Sequence, residues 1–205
     1  MTPSNPDQTK PVPLWNVPNI LTFSRIFMAI VIFGLIPFGL YKASLILFIV
    51  AALTDFVDGW WARKFNLKTK LGRITDAFAD KVLVCGTFIY LVTIPELTGV
   101  RGGLEPWMVV VIVLRELLVT LLRSLVEGAG GDFSAKWVGK IKMGFQSITI
   151  PICFLYLIFL QNTGTICPYL SWLMVATVWA TVSITIYSGY IYIVAAIRFE
   201  KEKQD

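Results

Sequence analysis

From Asn19 to Ile197 the chain is a series of apolar runs, each about as long as a bilayer is thick. A helix needs about 20 mostly apolar residues to cross the hydrocarbon core. Six segments meet that length: Asn19–Leu40, Ala43–Arg63, Leu71–Ile94, Pro106–Val126, Ile141–Leu160 and Tyr169–Ile197. Inside lipid the backbone must satisfy its own hydrogen bonds, and continuous apolar runs do so as helices. The expected fold is therefore an all-α integral membrane protein with six transmembrane helices. The chain is 56% hydrophobic and 15% charged, whereas a soluble domain carries about a quarter charged residues. Pro37 and Pro151 fall inside the first and fifth segments, where a missing amide can kink a helix. Residues 1–15 read as a polar, proline-rich arm without a signal-peptide pattern. Residues 16–198 read as one six-helix transmembrane domain and 199–205 as a short tail.

Net charge is +5, but the basic residues are not grouped as a nucleic-acid surface. Lys64, Lys68, Lys70 and Arg73 cluster after the second segment, Lys136, Lys140 and Lys142 before and at the start of the fifth, and Arg198, Lys201 and Lys203 at the C-terminus. The opposite connections hold only Lys42 and Arg101. Cytoplasmic loops are enriched in Lys and Arg, so both termini are expected in the cytoplasm, in a multi-pass protein of the cell (inner) membrane. Histidine is absent, and Cys85, Cys153 and Cys167 are scattered. That pattern makes no disulfide framework and no thiol metal site. It also removes His-dependent nucleophilic and acid–base chemistry.

Against this background Thr54–Lys81 holds four aspartates: Asp55, Asp58, Asp76 and Asp80. The first two are three residues apart and the last two four apart, so each pair shares a helical face. A short connection makes the two helices antiparallel neighbours and brings the pairs to one depth. Converging carboxylates resist ionisation together, and two readings of their compensation are open. One is a hard cation such as Mg²⁺ or Mn²⁺, which oxygen-only ligands favour. Four carboxylates suffice for two such ions. The other is a structural ion-pair network with Arg63, Arg73 and Lys81. Ionisable groups at membrane depth are functional more often than structural.

The fourth segment adds Arg115, Glu116 and Arg123, with Glu116 and Arg123 seven apart on one face. Lys140 and Lys142 open the fifth. Beside a metal-carboxylate site, the first of those readings, a basic cluster suggests a second, anionic substrate. Snorkelling at helix ends is the bland alternative. It is strongest for Lys140 and Lys142 and weakest for Arg115.

The pattern Asp55-x-x-Asp58-Gly59-x-x-Ala62-Arg63, eight residues, then Gly72-x-x-x-Asp76-x-x-x-Asp80 resembles the signature of the CDP-alcohol phosphotransferase family at every fixed position. The resemblance implies six transmembrane helices around a cytoplasm-facing site, usually in a homodimer. Asp55, Asp58, Asp76 and Asp80 would hold two divalent cations, Mg²⁺ or Mn²⁺, and Asp80 would also be the catalytic base. Asn19, Thr22, Gly59, Arg63 and Thr69 would contact CDP-diacylglycerol. Within the family, Asn16–Arg25, Ala79-Asp80-Lys81, Arg115-Glu116 and Trp137–Lys142 look most like the phosphatidylglycerophosphate synthase subgroup, which departs from this chain at Ala77 and Met143. The implied acceptor is glycerol 3-phosphate, with Arg115, Arg123, Lys140 and Lys142 as candidates for its phosphate. The other expected partners are membrane lipids, with no nucleic acid. Phosphatidylinositol-phosphate, cardiolipin and phosphatidylserine synthases of the same family are alternatives. A cation transporter and a structural subunit are alternatives of other classes.

Overall fold

The computed structural model describes the backbone of residues 17–64, 70–129 and 137–204, and the side chains of 20–54, 75–126, 128–129 and 137–201. The described residues are helical and turn, without a strand. Among the described residues there are six long helices: α1 (Val17–Leu35), α2 (Tyr41–Lys64), α3 (Lys70–Leu91), α5 (Pro106–Gly128), α6 (Trp137–Thr163) and α7 (Pro168–Gln204), with a one-turn helix α4 (Pro95–Thr98) between α3 and α5. The N-terminal arm and the connection that carries Lys68 and Thr69 lie outside the described residues.

The two internal prolines behave differently. Pro37 does not kink a continuing helix; it ends α1. The chain passes into a 3₁₀ turn over Ile36–Phe38 and leaves through Gly39 at φ 69°, a left-handed conformation that glycine adopts without a Cβ clash. Pro151 lies inside α6, which continues to Thr163. The third segment ends at Leu91, three residues before the expected Ile94, because Thr93 and Ile94 turn back onto Tyr90 and Leu91.

Among the described residues three helices are long and apolar enough to cross a membrane: Ile20–Phe38, Trp137–Thr163 and Pro168–Lys201. The described apolar part of α2, Tyr41–Thr54, is shorter. α3 and α5 are interrupted by the site's charges, Asp76, Asp80 and Lys81 on the one and Arg115, Glu116 and Arg123 on the other. Apolar side chains also cover the outside of the bundle. Phe27, Leu53, Leu114, Leu121, Trp172 and Tyr190 are each 60% or more exposed, an outward face that suits lipid better than water. The chain is a membrane protein.

α1 packs against α2 and α3, α6 against α2 and α7, and α5 against α7. Two contacts set α1 and α3 parallel. Near their starts the Thr22 hydroxyl donates to the Asp76 carboxylate. Farther along, the Phe33 ring lies over Gly86, where a Cβ would come within 2.1 Å of it. Phe33 also stacks on Tyr90 at 5.1 Å and 11°. α5 and α7 are likewise parallel: Trp107 meets Trp179 edge-on at 5.9 Å, and Val119 and Val126 pack with Tyr192 and Phe199. Between α6 and α7 the Thr149 and Thr181 hydroxyls bond at 2.8 Å. At the far end of the bundle Gln161 donates to the Gly39 carbonyl at 3.2 Å and Trp179 to the Gly102 carbonyl at 3.0 Å. One end of the bundle therefore collects the starts of α1, α3 and α6 and the ends of α5 and α7.

The seat of Phe33 on Gly86 predicts that Gly86→Val overpacks the α1–α3 contact. The expected loss is about 1–3 kcal/mol, read as a lower melting temperature of the detergent-solubilised protein.

Candidate functional site

Charged residues of α3, α5 and α6 meet towards that end. α3 carries Asp76 and Asp80 one turn apart. From its middle onward α5 carries Arg115, Glu116, Thr120 and Arg123, and α6 carries Gly139, Lys140 and Lys142 close to its start. All of them, with Lys81 of α3 and Tyr192 of α7, line a single cavity of about 400 Å³. That is within the size range of small-ligand sites, about 300–1,000 Å³. Three carboxylates and five cations line it, so its walls favour an anion. The polarity is divided by element: Asp76 and Asp80 stand on α3, and Arg115, Arg123, Lys140 and Lys142 on α5 and α6.

On the carboxylate side, Asp76 accepts the hydroxyl of Thr22, a residue that is fully buried in α1. A hydrogen bond from a neighbouring helix fixes the carboxylate's orientation, as the outer shell of a metal site does. Asp76 and Asp80 offer oxygen only, on one face of α3, which fits a hard cation. Lys81, a partner in the structural reading, donates back to the Ala77 carbonyl of its own helix at 3.0 Å. Among the described residues no cluster of three or more His, Cys, Asp or Glu side chains forms. Asp55, Asp58, Gly59 and Arg63 stand on the last turns of α2 and Asn19 on the first turn of α1, but their side chains lie outside the described residues, and Thr69 lies outside altogether.

On the cationic side, one oxygen organises the wall. Glu116 Oε1 accepts from Lys142 Nζ, from Arg115 Nη1 at 3.4 Å and from Gln146 Nε2 at 3.4 Å. Lys142 and Gln146 are 3% and 2% exposed and Glu116 9%. A buried carboxylate and ammonium are tolerable because they are paired and hydrogen-bonded. Arg115 is held on its other side by α7: its guanidinium lies 5.4 Å from the centre of the Tyr192 ring, and its stem passes Gly189, where a Cβ would stand 3.3 Å from Cγ. Its Nε and Nη2 are buried with no hydrogen-bond partner, as is Nε of Arg123. Buried donors left unpaired are costly, and an anion in the cavity is the group that would satisfy them. Lys140 is exposed, with its ammonium 5.5 Å from the centre of the Trp137 ring.

The structure thus brings together Asp76, Asp80, Arg115, Arg123, Lys140 and Lys142, and it joins Thr22 to them through Asp76. Sequence reasoning placed Glu116 on the correct face without giving it a task, and missed Tyr192. Glu116 could have been found from its position beside Arg115 and seven residues before Arg123. Tyr192 carries no such signal, because it is one of three closely spaced tyrosines, with Tyr187 and Tyr190, in an uncharged stretch of α7.

The model of the CDP-alcohol phosphatidyltransferase family matches residues 15–187. A Bacillus subtilis (strain 168) protein named CDP-diacylglycerol–glycerol-3-phosphate 3-phosphatidyltransferase is 35% identical over 195 residues, covering 87% of this chain and 94% of its own. A Rickettsia typhi protein of the same name is 31% identical, covering 86% of this chain and 94% of its own. An Escherichia coli (strain K12) protein, also of that name, is 29% identical over 66% of this chain and 75% of its own. With the family pattern running through the helices that build the cavity, this chain belongs to the CDP-alcohol phosphatidyltransferase family.

Proposed function

We propose that this enzyme transfers the phosphatidyl group of CDP-diacylglycerol to glycerol 3-phosphate, giving phosphatidylglycerophosphate and CMP in phospholipid biosynthesis. The observation that carries the reading is the cavity that joins two α3 carboxylates to the unpaired guanidinium donors of α5. A reaction between a diphosphate and a phosphorylated alcohol needs both kinds of wall. The names of the bacterial relatives support the same pair of substrates.

In this reading all six long helices span the cell (inner) membrane, and both termini and the site face the cytoplasm. The acyl chains of CDP-diacylglycerol stay in the bilayer, beside the apolar outer faces of the helices. Asn19, Thr22, Gly59, Arg63 and Thr69 contact its CDP moiety. Asp55, Asp58, Asp76 and Asp80 are the side chains that would hold two divalent cations, Mg²⁺ or Mn²⁺. Bound there, such ions would neutralise charge on the diphosphate and the departing phosphate. Thr22 keeps Asp76 turned towards that role. Glycerol 3-phosphate enters from the cytoplasm, and Arg115, Arg123, Lys140 and Lys142 receive its phosphate. Arginine suits this task because its fork of donors can meet two phosphate oxygens at once. Asp80 takes the proton from the acceptor hydroxyl. The acceptor oxygen bonds to the phosphorus bearing diacylglycerol, and the bond from that phosphorus to the CMP oxygen breaks. The working form is a homodimer.

CMP release from CDP-diacylglycerol, screened against glycerol 3-phosphate, inositol phosphate, phosphatidylglycerol and serine, tests the reading. Turnover with glycerol 3-phosphate alone is expected, and preference for another acceptor overturns it. Metal-driven ion flux in liposomes without CMP release would instead make the protein a transporter.

Asp80→Asn is expected to lower turnover about 100-fold or more while CDP-diacylglycerol still binds; near-normal turnover would remove Asp80 as the base. Arg123→Ala is expected to raise the KM for glycerol 3-phosphate about tenfold, with little change in that for the lipid. Chelation by EDTA is expected to stop CMP release and added Mg²⁺ or Mn²⁺ to restore it. Thr22→Val should raise the cation concentration for half-maximal activity about tenfold.

A further inference from the structure

Glu116 is the only carboxylate among the described residues that lines the cationic wall of the cavity. An acidic group beside a phosphate site should weaken it by repulsion, so its presence needs a reason. The geometry gives one. A single oxygen of Glu116 gathers donors from its own helix and from α6: Arg115 Nη1, Lys142 Nζ and Gln146 Nε2. Lys142 and Arg115 are almost fully buried, with side chains 3% and 9% exposed. Two such cations packed together would repel and turn outward whenever the cavity held no anion. Glu116 supplies the permanent counter-charge. It uses Nη1 of Arg115 and leaves Nε and Nη2 unbonded, while Tyr192 and Gly189 fix the rest of that side chain from α7.

We infer that Glu116 is a positioning residue for the phosphate-binding wall: it holds Arg115 and Lys142 in place so that the anion meets a preformed site. It touches no reacting atom. The inference rests on the reading above that this wall receives the acceptor's phosphate.

The test compares the full-length parent with Glu116→Gln, which keeps the shape and removes the charge, with Lys142→Met, and with the double variant. Inorganic phosphate is the first probe. It is titrated against melting temperature in detergent with EDTA present, so that cations held by the aspartates do not contribute. The parent is expected to be stabilised by phosphate, and Glu116→Gln to need about tenfold more phosphate for the same shift. In steady-state assays the KM for glycerol 3-phosphate should rise by a similar factor, while that for CDP-diacylglycerol stays within about twofold. Because Glu116 and Lys142 act as one pair, the double variant should be little worse than the worse single one. Unchanged or tighter phosphate binding in Glu116→Gln overturns the inference, since repulsion would then be the carboxylate's main effect. Equal increases in both KM values also overturn it and mark general loosening of the bundle. A parent that binds phosphate in a Glu116-dependent way but does not use glycerol 3-phosphate would leave the inference standing and refute the substrate reading.

Discussion

A charge at membrane depth cannot face hydrocarbon, and the architecture follows from that constraint. α3, α5 and the start of α6 all carry ionisable groups, and each turns them towards the same end of the bundle interior. The outward faces of the same helices are then free to be apolar, as Leu114, Leu117 and Leu121 are on α5. The charges cannot scatter, so they concentrate. Burial raises the cost of any unpaired member, and the structure meets that cost within the wall by pairing Lys142 with Glu116. The guanidinium of Arg115 is satisfied only in part, and the unsatisfied part is where a ligand gains most.

Much of this was legible in the sequence because two periodicities are strong. Apolar runs of bilayer length give the long helices, and the aspartate spacing gives shared faces regardless of tertiary detail. The far-apart residues Asp76, Arg115 and Lys140 meet at one end because short connections force alternate directions. Other features were not legible, for reasons that are equally physical. Pro37 reads the same whether a helix kinks or ends; the outcome depends on Gly39 being able to take a positive φ. The hydrogen bond from Thr22 to Asp76 depends on the parallel register of α1 and α3. The face of Tyr192 beneath Arg115 depends on how α7 rotates about its axis, which an apolar helix does not encode in its pattern.

The two sides of the cavity are built on different principles. The carboxylate side rests on spacing within single helices. The cationic side exists only through contact of three helices, since Glu116, Lys142 and Tyr192 come from α5, α6 and α7. The first can be written as a motif of fixed letters. The second tolerates change wherever a compensating change occurs on a facing helix. Family members with one chemistry and different acceptors are what such a division permits.

The contact of Phe33 with Gly86 lies about 15 Å along α3 from Asp76, at 1.5 Å per residue over ten residues. It lies a similar distance along α1 from Thr22. Two parallel helices joined at both points behave as a ruler. The close seat determines how far along the bundle axis the carboxylate and its hydroxyl partner stand. A lipid whose reactive phosphate lies at a fixed height above its acyl chains would then be measured by a glycine that never touches it.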